Sequence, residues 1–189
     1  MTPTILTLGL VLIWVGVFYV KRQNVNYQEQ IESRTFWERE REANQTRKKD
    51  LSGLDYVHLE LEKLPVDASS LHAGELSDLQ ISELERYESR IRRLASEKIV
   101  NLSGYSNTDL KLKYGAPNLP DLITYDQNYL TLLQTLSGWG RCLADYSLEP
   151  EAIQVLEYGV SVGMDMKKPL LLLANLRDKA SAKSSADSR

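Results

Sequence analysis

The residues most easily put to chemical use near neutral pH are two histidines, His58 and His72, and a single cysteine, Cys142. A metal site would need the histidines among further ligands at regular spacing. They stand in segments of unsettled structure, with no cysteine or carboxylate cluster at ligand spacing around them. A serine nucleophile would want an elbow, and LSGWG, Leu136 to Gly140, lacks the G-x-S-x-G order. No phosphate loop or dinucleotide fingerprint follows its Gly-Trp-Gly. Cys142 falls mid-helix among apolar neighbours, which favours an inert core thiol over a nucleophile. Being single, it forms no intrachain disulfide and no cysteine-based metal cage. These residues therefore point to no cofactor, no metal and no small-molecule substrate, and to a protein that is not an enzyme.

The elements that would position such residues begin with PTILTLGLVLIWVGVFYV, Pro3 to Val20, which carries no charge. As a helix at ~1.5 Å per residue it is about 27 Å long, near the ~30 Å of a hydrocarbon core. A cleaved signal peptide would want a basic side chain before the run and a small-x-small site after it, and neither is present. The run predicts a retained transmembrane helix. Lys21 and Arg22 follow it directly, with Arg34, Arg39 and Arg41 beyond. Positive charge stays on the cytoplasmic side, so the expected orientation is N-terminus out and the C-terminal domain in the cytoplasm. In the reverse orientation Asn44 and Asn101 would head glycosylation sequons.

The net charge is −3 at a pI near 5.5, which excludes a nucleic-acid binder with a basic face. The charge is unevenly spread. Lys21 to Lys49 carries eight basic and five acidic side chains, and Asp50 to Arg189 carries fifteen basic and twenty-one acidic, so +3 faces −6. The basic part falls beside the membrane, where an anionic leaflet would attract it. Its signs alternate along FWEREREANQTRKK, which suits a solvated helix with i,i+4 pairs; Phe36 and Trp37 fit that picture poorly. From Leu51 to Pro65 the apolar spacing suits a strand and a helix equally, and with no strand partner in sight the segment is expected to be an extended linker or a short helix.

From Leu71 the pattern turns helical. Leu76, Leu79, Leu84, Tyr87, Ile91, Leu94 and Ile99 form an apolar stripe opposite Glu83, Glu85, Arg90, Arg92 and Arg93. Asn107 or Thr108 can cap a short helix that Gly115 ends. A long apolar helix is expected to begin near Asp121, another with Pro150 in its first turn, and a last one at Pro169. The division expected is an anchor (1–22), a charged arm and linker (23–70), an α-helical domain (71–177) and a disordered polar tail (178–189).

Leu136, Trp139, Gly140 and Leu143, followed by Ala152, Leu156 and Gly159, place large and small residues as two closely crossing helices would need. A shift of 34 residues carries Leu136 to Leu102 and Leu170, and Gly140 to Ser106 and Ala174. Over about residues 134–177 the chain resembles a tetratricopeptide unit with the first helix of a second. Before residue 130 the pattern fails, with Asn118 where a small residue should stand, and Met164 replaces the usual proline at the unit's end. The resemblance implies a groove for a partner peptide lined by Gln134, Ser137 and Arg141, then Lys168 and Asn175, against the alternative of plain surface charge on a helical hairpin.

The fold expected is all-α: a transmembrane helix, then a small helical domain with one tetratricopeptide-like hairpin. The layout resembles that of short anchored proteins of Gram-positive bacteria, which brings no activity with it. The function expected is a membrane-anchored adapter or scaffold for an unidentified protein partner. The alternatives are a structural subunit of a membrane complex, built on Phe36, Trp37 and the stripe from Leu76, and an enzyme whose site the sequence does not display.

Overall fold

Caps and helix breakers set most of the element boundaries. The computed structural model describes residues 33–187, and regular structure among them is helical, so the protein is all-α. The run Pro3–Val20, and the transmembrane helix expected there, lies outside the described residues. No helix among those described is long and apolar enough to cross a membrane. Helix α1 is described over residues 33–45. Then come α2 (Ala68–Leu71), α3 (Asp78–Leu94), α4 (Asn107–Tyr114), α5 (Leu119–Asp145), α6 (Glu149–Ser161) and α7 (Lys167–Asp187). Single 3-10 turns occupy Leu61–Lys63 and Ala116–Asn118.

The chain forms two packing units. One joins the described part of Met1–Asp50 to Tyr105–Leu119, so α1 belongs with α4. Ser106 caps α4 in a reciprocal capping box with Asp109, one residue before the expected Asn107 or Thr108. Gly115 ends α4 as expected, at φ 94°, and a Cβ there would lie 2.2 Å from the Arg47 carbonyl oxygen, so only glycine fits. Asn118, fully buried, donates its amide to the carbonyls of Lys49 and Tyr114 at 2.7 and 2.8 Å. Arg39 pairs with Asp109, and Glu40 with Lys111 and Thr108, along the same seam.

The second unit comprises Leu51–Gly104 with Pro120–Arg189. Its core gathers Leu84, Ile91 and Leu94 of α3, Leu132, Leu136, Trp139 and Leu143 of α5, Ala152, Val155 and Leu156 of α6, and Leu173 and Leu176 of α7. Each fully buried leucine or isoleucine contributes ~1.5–3 kcal/mol by removal from water. The lower stripe of α3 is therefore occupied inside this unit, while Leu79 remains 82% exposed.

The segment Leu51–Pro65, expected to be an extended linker or a short helix, contains the 3-10 turn Leu61–Lys63 and packs into this unit. Leu64 and Ala68 lie in the core. Tyr56 and Val100 form an isolated antiparallel bridge, and Val57 N–H donates to the Ile99 carbonyl at 2.9 Å. The bridge partner, Ile99–Val100, is too short to show a period in the sequence. Glu60 N–H donates to Tyr158 Oη at 2.9 Å across 98 residues of chain. At the other end α7 continues as helix through Asp187, where composition pointed to a disordered tail from 178.

Helix α5 is one element of 27 residues, so the hairpin expected from Leu136 uses only its C-terminal part. No breaker interrupts it after Pro120, and its two glycines are held by packing. It ends with Ser147 at φ 64° while Leu148 N–H reaches back to the Leu143 carbonyl at 2.9 Å, a left-handed C-terminal cap. Pro150 then sits in the first turn of α6 as expected.

Candidate partner-binding site

The last two turns of α5 carry Gly138, Arg141, Cys142 and Asp145, and Tyr146 follows. Their positions recur every three to four residues, which places them on one side of the helix. Helix α3 lies along that side. Gly138 leaves space for the Tyr87 ring, since a Cβ there would stand 3.0 Å from Tyr87 Oη. With Glu83 and Tyr87 of α3, these residues line a cleft of about 310 Å³. That is the low end of ligand-site volumes, room for one or two side chains.

The protonation pattern of the cleft is governed by burial and one strong hydrogen bond. Tyr146 Oη donates to Glu83 Oε2 at 2.6 Å, and this bond pushes the tyrosine pKa well above its ordinary value, with burial adding to it. Burial pushes the Cys142 thiol up to about 11, partly offset by its hydrogen bond with Tyr146. Burial likewise raises Tyr87. All three are neutral at pH 7; the Tyr146 hydroxyl is already engaged by Glu83, and Tyr87, Arg141 and Asp145 also line the cleft. A thiol held protonated is a poor nucleophile. What the arrangement can do is hold a charged or polar side chain by several hydrogen bonds.

The outer face of α3 carries a second feature. Arg86, Arg90 and Arg93 follow at i, i+4 and i+7, and with Ser82, Glu85 and Ser89 they bound a trough of about 510 Å³. It has a single helical wall, so the volume is the space between long side chains. None of these arginines, nor Arg141, forms an ion pair with a described residue, whereas Arg92 is bound to Asp67 at 2.6 Å.

The five residues expected to line a groove are divided. Gln134, Ser137 and Arg141 share one face of α5, and only Arg141 enters the cleft with α3. Lys168 and Asn175 are exposed on α7. No hydrogen bond or ion pair among the described residues joins the two sets. The α3 contribution was not apparent in the sequence, because Glu83 and Tyr87 meet α5 only across more than fifty residues of chain.

The histidines stand elsewhere. His58 is exposed. His72 lies between two carboxylates, with Nε2 3.1 Å from Glu151 Oε1 and Nδ1 3.3 Å from Glu75 Oε2. The Glu151 bond raises its pKa above the ordinary imidazole value. Among the described residues no group of three or more His, Cys, Asp and Glu side chains could hold a metal ion. Comparison with protein-family models, curated proteins and solved structures gives no match.

Proposed function

We propose that the protein is a single-pass, membrane-anchored interaction protein whose helical domain holds an acidic segment of a protein partner on the cytoplasmic side, without catalysing a reaction. The observation that carries it is the set of four arginines without ion pairs among the described residues, Arg86, Arg90 and Arg93 on the outer face of α3 and Arg141 in the separate α3–α5 cleft. They belong to a stretch, Asp50 to Arg189, whose formal charge is −6. A basic stripe on an acidic surface steers a partner of opposite sign, and guanidinium groups grip carboxylates by two parallel hydrogen bonds. The uncharged run Pro3–Val20 supports the anchor, and Lys21 and Arg22 support the orientation. The tetratricopeptide resemblance adds the general role of peptide binding.

The test is photocrosslinking from Ser89 in the full chain within its own membranes, comparing Arg141→Glu with Lys168→Glu. Loss of the crosslink at Arg141 assigns the α3–α5 face. Loss at both enlarges the site to the groove that the repeat resemblance implies. A crosslink insensitive to both, or no crosslinked protein, would overturn the proposed function.

A further inference from the structure

One side of helix α1 is held by α4. Arg39 and Glu40 bind α4 through Asp109, Lys111 and Thr108, and Ala43 is fully buried on the same side. Trp37, one turn before Glu40, is 62% exposed. Arg34 and Arg41, at i−3 and i+4, share its face, with Glu38 one turn from each of them and Glu42 farther around the helix. Phe36, 54% exposed, packs edge-on against the Trp37 ring at 5.4 Å between centroids. An exposed tryptophan flanked by two arginines is the composition of a helix lying in a membrane interface, with the ring among headgroups and the guanidinium groups on phosphates.

Chain length permits that position. Between Val20, which ends the uncharged run, and α1 at residue 33 lie residues 21–32, which span at most about 40 Å when extended. The net charge of +3 over Lys21–Lys49 favours the leaflet that carries anionic lipid. We propose that α1 docks on an anionic lipid surface through Trp37, Arg34 and Arg41, so that the arm is a second membrane contact beyond the span. This rests on the anchored reading above.

The experiment reconstitutes the full chain in vesicles of phosphatidylcholine alone or with phosphatidylserine, with and without brominated acyl chains, which quench tryptophan on contact. The emission of wild type minus that of Trp37→Phe isolates Trp37. In the phosphatidylserine vesicles it is expected to fall about twofold with bromine, and less in phosphatidylcholine alone. Arg34→Glu with Arg41→Glu is expected to remove the difference. Equal quenching in the two lipids overturns the role of the arginines. Trp37 emission untouched by bromine but quenched by acrylamide from the buffer overturns the docking. In Trp37→Phe, with Trp139 fully buried in the core, bromine quenching reports Trp14 of the uncharged run. Its absence overturns the anchor and the inference together, whereas its presence beside an unquenched Trp37 overturns the inference alone.

Discussion

Gly140 of α5 and Leu156 of α6 meet so closely that a Cβ on Gly140 would lie 2.6 Å from both Cγ and Cδ2 of the leucine. Leu156 is fully buried, so its branch point has nowhere to retreat. Alanine in place of a helical glycine ordinarily gains ~1 kcal/mol, while forced overpacking costs ~1–3 kcal/mol. Gly140→Ala is therefore expected to lower stability by about 1 kcal/mol in chemical denaturation. Gly74→Ala, with nothing within 4 Å of its Cβ, serves as the control and should show no such loss. Equal effects at the two sites would refute the close crossing.

His72 makes stability depend on pH. Its folded pKa is raised above the ordinary 6.5, chiefly by the hydrogen bond to Glu151. The folded state thus holds the proton more tightly than the unfolded chain. This contribution is fully present below the unfolded value and is lost as pH rises through the folded one. The thermal midpoint is expected to fall as pH is raised from about 6 toward 8, and His72→Gln should flatten that slope. An unchanged slope in the variant would assign the dependence to other groups.

Cys142 should resist modification until the protein unfolds. It is 7% exposed and its thiol is raised to about 11 by burial, so thiolate is scarce at pH 8. Maleimide labelling at pH 8 is expected to be slower in the native protein than in denaturant by about a hundredfold, the drop in thiolate fraction that the raised pKa implies. Rapid native labelling would show that the α3–α5 cleft opens.

Ser147 occupies the left-handed region at φ 64°, where a side chain is strained. Ser147→Gly is expected to stabilise by up to about 1 kcal/mol, read as a rise in denaturation midpoint. A loss of stability would mean that the hydroxyl has an interaction worth more than the strain.

The legible parts of the sequence were those governed by local rules. The spacing of Leu84, Ile91 and Leu94, the stop at Gly115, the start at Pro150 and the tight approach at Gly140 depend on neighbours a few residues away or on residue size. Non-local pairing was hidden. Glu88, a charged residue that helical spacing gives no reason to bury, is 6% exposed and accepts hydrogen bonds from the Ser69 backbone at 2.9 Å and hydroxyl at 2.7 Å. Asn118 broke the repeat pattern, and its structural reason is the clamp on Lys49 and Tyr114. The side chains that α3 contributes to the cleft follow from how two helices lie together, which neither helix states alone.

The bond from Glu60 N–H to Tyr158 Oη also imposes an order on biosynthesis. A ribosome adding ~5–20 residues per second needs about 5–20 s to traverse the 98 positions between the two residues. Until α6 has been made, the segment around Leu59 and Leu64 lacks the helix that completes its surroundings.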